Sequence, residues 1–567
     1  MLELLKKYKI FYKNIDLDSF MKKLIFEILK DSAPSIHELF DKENTHFNFE
    51  TEQSFDSLVS ILKDQDYLFS AYKISTIYSK IIEREKRKKL GAYFTPPDLS
   101  KLLIQEVFRV LHKPLLSSTF GDICCGGGAL LVPMARSLIR EMEESDMNSK
   151  EIIYRIQECL IGIEIDPFLL FLTKTYLVAE LDEHIQESGI FPNFNLYHGD
   201  ALQMDPKSIS PIDVIIGNPP YKTLTSHEHA RLKPMYGQVM DGNSNLYPAF
   251  LEKSFQLANV ESVLSMIIPT SLYSSKNFGK MRQRITEQSH VDSIFWLTNR
   301  SGVFYDVLQE ISVMTVSIGQ KLNKKNTYVR SIQKDLDSNF STKIPNKQGK
   351  KAWPIPKSSD QAQILNAAEK VPFRIEDYGY SIQIGKLVWN RDTRQRFVSY
   401  PKNGHRYGVY PIIWPFQITH DGNFISNQKF GHKKENFIFM GKDTNGLITE
   451  ESIIMKRTSP AGSHKLLVCT VVPKTLIEQY GGIVGENHVI IISRRKDIWS
   501  VDPSLLVKVL NSTAVNLVYH CFSGTVTVSR YALQTLPMPD PKIVIDFWHE
   551  GKDTEESVFA GYGAVSR

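Results

Sequence analysis

Four residues, Asn218-Pro219-Pro220-Tyr221, place two hydrogen-bond acceptors and an aromatic ring at one rigid point of the chain. An aromatic exocyclic amine is a poor nucleophile because its lone pair is delocalised into the ring. The Asn218 side-chain oxygen and the Pro219 carbonyl can accept hydrogen bonds from the two amine hydrogens and so return electron density to the nitrogen. The prolines fix φ, and Tyr221 can stack on the base that carries the amine. The tetrapeptide therefore predicts chemistry at a planar nitrogen.

A glycine-rich segment upstream of this tetrapeptide is suited to bind a nucleoside. Asp122 ends a short apolar run, Cys124 and Cys125 follow it, and the glycines from Gly126 to Gly128 precede residues with helical spacing. Glycines at a strand-to-helix turn let the backbone approach a ligand and leave helix N–H groups pointing at it. A tight turn without a ligand has the same pattern, so this segment alone does not distinguish the two.

Two acids that follow later apolar runs are candidates for nucleoside contacts. Glu164 lies in the run 160–165, where an acid can bind ribose hydroxyls, and Asp200 follows the run 194–197, where it can accept a hydrogen bond from an adenine amine. Each has a plainer interpretation, Glu164 as a surface acid and Asp200 as the N-cap of a helix. The apolar neighbours of Glu164 favour the binding role.

The elements that must position these residues alternate between strand-like and helical patterns. Between residues 91 and 320 this alternation predicts an α/β, Rossmann-like, doubly wound sheet that is mostly parallel. Ligands bind such sheets at the carboxyl ends of the strands, where Asn218 would lie. The strand-like runs are residues 120–124, 160–165, 194–197, 214–216, 263–268, 294–297 and 311–318.

The rest of the chain divides into three parts. Residues 1–89 have helical spacing, 321–372 are rich in lysine and arginine, and 373–567 mix aromatic and β-branched residues with Gly, Asn and Pro. We predict a helical N-terminal segment, a catalytic domain over residues 90–320, a basic connector, and a separate C-terminal α+β domain. The connector can be a solvated linker or can lie along the phosphates of a nucleic acid.

Composition and charge exclude several classes of protein. The chain has 567 residues, 42% of them hydrophobic, and a net charge of +5, which permits a polyanionic partner. Its apolar runs are much shorter than the roughly 20 residues that cross a bilayer, and its N-terminus lacks a signal-peptide pattern. We therefore expect a cytoplasmic protein without a membrane partner. Five cysteines without a CxxC pair or metal-ligand spacing argue against disulfides and a zinc site.

In their order along the chain, these segments resemble the exocyclic-amino DNA methyltransferases, specifically the adenine-N6 enzymes of the gamma motif order found in bacterial restriction-modification systems. The sequence departs from the family pattern at residues 124–128, where Cys-Cys-Gly-Gly-Gly replaces the frequent Ala-Cys-Gly-Ser-Gly, and at Ala201, where some relatives have an aromatic residue. The segments that carry the resemblance are residues 91–97, 122–131, 162–167, 200, 218–221 and 267–273.

The resemblance implies a sequence-specific enzyme that binds double-stranded DNA and flips the target adenine out of the duplex. The enzyme would transfer a methyl group from S-adenosylmethionine to N6. Residues 373–567 would form the target-recognition domain, and residues 222–245, which carry His227, His229, Arg231 and Lys233, would close near the DNA. A cognate restriction endonuclease would act on the same site without stable association.

The resemblance also assigns roles to individual residues. Asn218, Pro219, Pro220 and Tyr221 would be catalytic, with the flipped base on Tyr221. Tyr93 and Thr95 would touch the methionine end of the cofactor, Glu164 the ribose, Ile165 the adenine ring and Asp200 its amine. The other residues expected to bind the cofactor are Asp122, Cys124, Cys125, Gly126, Gly128 and Pro220.

Other functions stay open on the sequence alone. Enzymes that methylate protein glutamine or ribosomal-RNA guanine share Asn-Pro-Pro-Tyr, although they would not need the long C-terminal part or residues 91–97. Cytosine-N4 enzymes usually carry Ser in place of Asn218. Asp540, Glu550 and Lys552 formally match a metal-dependent nuclease pattern, with a strand expected over 542–548. A DNA-binding module without catalysis would have no use for the cofactor segments.

Overall fold

The protein was examined as a computed structural model that divides into two compact units, Met1–Leu272 with Asn277–Lys351 and Tyr273–Lys276 with Ala352–Arg567. The structure describes residues 17–45, 53–63, 65–82, 95–242, 245–297, 310–319, 326–332, 338–347, 349–402, 404, 408–425, 435–441, 443–459, 463–496, 498–523 and 527–564.

The first unit is built on a mixed sheet in the order β3-β2-β1-β4-β5-β7-β6-β8-β9. The five strands β3, β2, β1, β4 and β5 pair in parallel, as do β6 and β8. Strands β7 and β9 run antiparallel to their neighbours. The expectation of a mostly parallel sheet therefore holds for the half that carries the site. Its strands are β1 (Phe120–Asp122), β2 (Leu160–Glu164), β3 (Asn195–His198), β4 (Ile212–Gly217), β5 (Ala258–Pro269), β6 (Ser289–Leu297), β7 (Ile311–Ile318), β8 (Asn326–Ile332) and β9 (Ser338–Pro345).

Helices precede the sheet and alternate with its strands. The helices described up to residue 288 are α1 (Leu17–Leu29), α2 (Ile36–Lys42), α3 (Gln53–Lys63), α4 (Tyr67–Ile81), α5 (Pro97–Val110), α6 (Leu131–Glu144), α7 (Ser149–Cys159), α8 (Pro167–Glu180), α9 (Asp182–Ser188), α10 (Ser226–Tyr236), α11 (Tyr247–Leu257), α12 (Ser271–Ser274) and α13 (Gly279–Gln288).

Local sequence signals account for several of these boundaries. α8 begins at Pro167, where a missing N–H costs nothing, and the Asp166 carboxylate accepts hydrogen bonds from the Phe168 and Leu169 amides. α7 begins with a capping box between Asn148 and Glu151. β4 is buried along its whole length, as expected of a central strand with helices on both faces.

The order of the strands reverses next to β1, and this reversal fixes the place of the site. From β1 the chain proceeds through β2 to β3 on one side, and then returns to add β4 and β5 on the other. Asp122 at the end of β1 pairs with Ile216 near the end of β4. The crevice outside such a switch point is where open α/β sheets bind ligands.

The N-terminal helices belong to the first unit. The Asp182 carboxylate accepts a hydrogen bond from the Ser35 amide at 2.7 Å, and the Tyr78 hydroxyl donates to Asp166. The Arg136 guanidinium on α6 pairs with Glu180 at the end of α8. It also pairs at 2.8 Å with Asp66, the N-cap of α4. These contacts hold the predicted helical lead-in against the helices that flank the sheet.

The predicted basic connector over residues 321–372 differs from the structure. Residues 326–345 include β8 and β9, which extend the sheet beyond the predicted boundary at 320. The basic composition predicted a connector because it did not show which side chains face the core. On the edge strand β9, the basic side chain of Lys343 is exposed, whereas its neighbour Ile344 is buried. Charged side chains are a common feature of edge strands, where they discourage pairing with other chains.

The second unit contains two sheets and a helical C-terminal part, in agreement with an α+β composition. The sheets have the orders β10-β18-β15-β16 and β11-β13-β12-β17-β14. The strands are β10 (Tyr380–Ile384), β11 (Arg396–Phe397), β12 (Val409–Ile413), β13 (Phe437–Phe439), β14 (Leu447–Ile448), β15 (Ser452–Lys456), β16 (Cys469–Val471), β17 (Ile483–Gly485) and β18 (Val489–Arg494).

The helices of the second unit pack mainly on the four-stranded sheet. One apolar core contains Ile453 and Ile492 of the sheet together with Leu506, Val518 and Leu533 of three helices. Another helix, at Ser359–Ala368, adds Ile364 and Leu365 to this core, and the unit includes Ala352–Arg567, so it begins earlier in the chain than predicted. The helices are α14 (Ser359–Ala368), α15 (Lys474–Tyr480), α16 (Pro503–Asn511), α17 (Thr513–Phe522), α18 (Arg530–Thr535), α19 (Pro541–His549) and α20 (Thr554–Gly561).

Among the described residues, each helix taken singly is too short or too polar to cross a membrane. The helices α16 and α17 together meet the length and hydropathy required, with a bend of 63° between them.

We expect Arg136→Met to lower the free energy of unfolding by about 3 kcal/mol, because it leaves the mostly buried Glu180 carboxylate without its partner. Urea titration followed by circular dichroism measures the loss. The double variant Arg136→Met/Glu180→Gln should recover most of it, since a neutral amide needs no countercharge. Equal losses in the single and double variants would contradict this account.

Lys174→Met provides a matched control. It breaks the ion pair between Lys174 and Glu43, whose side chains are both about one-third exposed. We expect a change in the free energy of unfolding below about 1 kcal/mol.

Candidate active site

A cavity of about 370 Å³ lies at the carboxyl ends of the central strands, a size typical of small-molecule sites. It brings together most of the residues that the sequence singled out. Among the described residues, Gly128, Pro219 and Tyr221 do not line it, and Tyr93 lies outside the described residues. The predicted residues that line it are Thr95, Asp122, Cys124, Cys125, Gly126, Glu164, Ile165, Asp200, Asn218 and Pro220.

The glycine loop after β1 is fastened to the end of β2 by Glu164. The Glu164 carboxylate accepts a hydrogen bond from the Gly126 amide at 2.8 Å and another from the Asp166 amide at 2.9 Å. Each carboxylate oxygen can accept more than one hydrogen bond, so these contacts are compatible with binding of ribose hydroxyls. Burial raises the pKa of Glu164 above its ordinary value.

Glycine is required at the positions that shape this loop. Gly126 and Gly128 have φ of 55° and 82°, a region that disfavours side chains. A Cβ on Gly128 would also lie 2.7 Å from a methyl group of Val132. Gly128 therefore contributes through the shape of the turn and not through a cavity contact.

The lining of the cavity includes a buried acid, a half-buried thiol and a buried thiol. The Asp122 side chain accepts a hydrogen bond from the Cys124 amide at 2.9 Å. Burial, together with the nearby charge of Glu164, raises the pKa of Asp122 to about 7. Burial also raises the pKa of Cys124 and of Cys125 well above the ordinary value of a thiol. Both cysteines are therefore neutral lining residues at neutral pH.

Ile165 and Asp200 lie where an adenine ring was expected. Ile165, just after the end of β2, is 52% exposed, in contrast to Ile163 within that strand, which is fully buried. Asp200 accepts a hydrogen bond from the Leu202 amide at 3.1 Å and so caps a turn. The plainer interpretation of Asp200 as a local cap and its expected role in the cavity are thus compatible, because one carboxylate can accept several hydrogen bonds.

The segment 222–245 departs from the expected loop at the DNA. Residues 226–236 form α10, which begins with a capping box between Thr225 and Glu228. Leu224, Glu228, Arg231 and Leu232 line the cavity, and the Arg231 guanidinium lies 3.9 Å from the Asp200 carboxylate. The sequence signal was present, because Thr-x-x-Glu is typical of a helix N-terminus.

The Asn218 side chain is held at both ends of its amide. Its Nδ2 donates a hydrogen bond to Thr95 Oγ1 at 3.1 Å, and its Oδ1 lies 2.6 Å from the Tyr221 hydroxyl. The Tyr221 hydroxyl also lies 3.0 Å from the Ile267 carbonyl oxygen. Tyr221 is 7% exposed, and Pro219 is buried as well. The contact to Thr95 was not foreseen, since Thr95 was expected to touch only the cofactor.

The nuclease pattern near the C-terminus does not assemble into a catalytic cluster. Residues 541–549 form α19 instead of the expected strand, and Asp540 is its N-cap. Lys552 pairs with Glu550 at 2.6 Å just after that helix. Within the described part of the chain, no group of three His, Cys, Asp or Glu side chains is arranged to hold a metal ion.

Sequence comparison relates the chain to restriction-modification methyltransferases. Residues 158–304 match the Eco57I restriction-modification methylase family. The type II methyltransferase M.BanIII of Aneurinibacillus aneurinilyticus is 26% identical over 322 residues, 53% of this chain and 50% of M.BanIII. The type II methyltransferase M.BsuBI of Bacillus subtilis is 22% identical over 487 residues, 81% of this chain and 90% of M.BsuBI. The chain spans half the length of M.BanIII and most of that of M.BsuBI.

A solved structure resembles nearly the whole chain. The type IIL restriction-modification enzyme MmeI, determined in complex with DNA, aligns with 99% of this chain and 95% of its own, with a TM-score of 0.60 and 12% identity. At this identity the likeness concerns the fold.

We expect the affinity of this cavity for a cationic ligand, probed with S-adenosylmethionine, to fall about tenfold between pH 8 and pH 6. The ionised Asp122 carboxylate attracts a cationic ligand, and with a pKa of about 7 it becomes protonated across this range. Isothermal titration calorimetry at several pH values measures the dissociation constant. Asp122→Asn should bind more weakly at pH 8 and lose the pH dependence. A wild-type affinity that stays constant from pH 6 to pH 8 would contradict the assignment.

The same shift has a consequence for folding. The pKa of Asp122 is higher in the folded chain than its ordinary value of 3.8, so the folded state binds more protons between these values. The contribution of Asp122 to stability is therefore lost as the pH rises from about 4 to about 7.

Proposed function

We propose that this chain is an S-adenosylmethionine-dependent DNA methyltransferase that acts on adenine N6. The observation that carries the proposal is the Asn218 amide at the edge of the cavity, one strand away from Asp122 and the glycine loop. The similarity to restriction-modification methyltransferases supports the transfer of a methyl group to DNA. The choice of adenine N6 rests on Asn218 and its neighbours.

The cavity residues fit S-adenosylmethionine. Glu164 is available to ribose hydroxyls, the exposed face of Ile165 to an adenine ring, and Asp200 to the adenine amine. The positive φ of Gly126 lets the backbone approach a ligand where a side chain would not fit. When bound, S-adenosylmethionine supplies an electrophilic methyl group on a cationic sulfur, and Asp122 places a negative charge in the same cavity.

Asn218 would act on the nucleophile. A carbonyl oxygen can accept two hydrogen bonds, so the bond from Tyr221 leaves Oδ1 able to accept another from the target amine. We infer that the Pro219 carbonyl accepts the second amine hydrogen. These two bonds would draw electron density onto N6 and favour attack on the methyl group, with loss of one N6 proton.

The target adenine would have to leave the duplex to reach Asn218. Extrusion of a base costs a few kcal/mol, which stacking and backbone contacts can offset. We assign the stacking surface to Tyr221, whose hydroxyl contacts Asn218 and Ile267. Because its side chain is 7% exposed and does not line the cavity, stacking requires that the ring become exposed when DNA binds.

Double-stranded DNA is the proposed partner, and the second unit is the proposed target-recognition domain. The alignment with MmeI, a structure determined with DNA bound, supports DNA as the partner. Basic residues of the first unit, including Arg330 and Lys343 on β8 and β9, are available to phosphates. A cognate endonuclease that recognises the same sequence without stable association completes the proposed restriction-modification system.

We expect Asn218→Ala to reduce methyl transfer to duplex DNA by at least about 100-fold, because it removes an acceptor aimed at the reacting amine. Single-turnover transfer of tritium from labelled S-adenosylmethionine measures the rate. The dissociation constant of the cofactor should change less than about threefold, since the loss concerns the transition state.

Asn193→Ala is the matched control, because Asn193 is exposed and outside the cavity. Its rate should equal that of the wild type. Analysis of the labelled nucleosides identifies the methylated base. Tritium found in methylated cytosine would show that the target base is cytosine and not adenine. A normal rate for Asn218→Ala would show that Asn218 has no role in the reaction.

A further inference from the structure

The Asn218 amide has two ends of nearly equal shape and opposite hydrogen-bonding character. Its oxygen accepts hydrogen bonds, whereas its NH₂ group only donates them. A rotation of the amide by half a turn would present NH₂ to the target amine and place two donors against each other. The proposed reaction therefore requires that the amide be held in one orientation.

We propose that Thr95 is a positioning residue that holds the Asn218 amide in place beside the Tyr221 hydroxyl. This inference rests on the proposed function, and it assigns Thr95 a role in the chemistry of the nucleophile. Thr95 Oγ1 accepts the hydrogen bond from Asn218 Nδ2 at 3.1 Å, which turns Oδ1 toward the Tyr221 hydroxyl at 2.6 Å.

Tyr221 alone does not define the orientation of the amide. A hydroxyl can donate one hydrogen bond and also accept. The Tyr221 hydroxyl has a second acceptor, the Ile267 carbonyl at 3.0 Å, so it can donate there and accept from a rotated NH₂ group. The bond to Thr95 fixes a second point of the amide plane, and its loss would remove one of the two described contacts that hold the Asn218 side chain in place.

The surroundings of Thr95 are suited to holding a side chain in place. Thr95 is 3% exposed, so bulk water competes little for its hydrogen bond. It lies two residues before α5, and that helix is tied to the glycine loop because the Ser100 hydroxyl donates to the Ala129 carbonyl at 2.7 Å. Thr95 and Asn218 are 123 residues apart in the chain. The bond thus joins the start of α5 to the end of β4.

Thr95→Val tests the proposal because valine keeps the shape of threonine and removes its hydrogen-bonding group. We expect the single-turnover rate of methyl transfer at saturating S-adenosylmethionine to fall about tenfold, the effect of one hydrogen bond. The dissociation constant of the cofactor should stay within about twofold of the wild type. Thr95→Ser, which keeps the hydroxyl, should restore most of the rate.

A double-mutant cycle separates positioning from other roles. If Thr95 acts through Asn218, Thr95→Val should cause no further loss in an Asn218→Ala background. Equal additional loss in both backgrounds would overturn the proposal. So would a Thr95→Val enzyme with a normal rate and weakened cofactor binding, which would make Thr95 a cofactor contact only.

Two further measurements make the outcomes unambiguous. Thermal denaturation of each variant shows whether folding is intact, and failure of Thr95→Ser to restore the rate in a folded protein would also overturn the proposal. A wild-type enzyme that transfers no methyl group to duplex DNA would refute the proposed function itself. Methylation of cytosine N4 would refute only the choice of base, because the same amide orientation is needed there.

Discussion

The parallel pairing of β1 with β4 is the constraint on which the rest of the site depends. Because the strand order reverses at this pair, the ends of two strands that are distant in sequence lie side by side, with a crevice outside them. Asp122 and Asn218, at the ends of these neighbouring strands, both line the cavity. The hydrogen bonds of Glu164 to Gly126 and Asp166 add the third strand end to the same crevice. A cofactor and a nucleophile can therefore meet without any large movement of the sheet.

Much of this site could be predicted because its residues follow local patterns. Asp122, Glu164 and Asn218 each end an apolar run, and the ends of parallel strands share one edge of a sheet. Helix α10 was missed although Thr225 and Glu228 have the spacing of a capping box. There the polar, histidine-containing composition suggested a loop, and the signal for helix initiation was given too little weight.

Other features could not be read from the sequence because they depend on distant partners. β8 forms a strand by pairing with β6, and β9 by pairing with β8. The spacing of lysines and arginines in these segments does not show the alternation that would predict strands. The bond between Thr95 and Asn218 likewise joins two turns whose proximity is a property of the folded sheet. A hydrogen bond between side chains that are far apart in the sequence leaves no local pattern from which it could be predicted.

The extension of the sheet through β9 has a consequence for dividing the protein into fragments. A piece that stops at residue 320 would lack β8 and β9 and would leave the long strand β6 with an unpaired edge. An exposed, apolar edge of that kind recruits strands from neighbouring molecules, so such a piece would be prone to aggregate. A piece that keeps β9 would instead end on a strand whose lysine faces water. The natural place to separate the two units is therefore the unit boundary after Lys351.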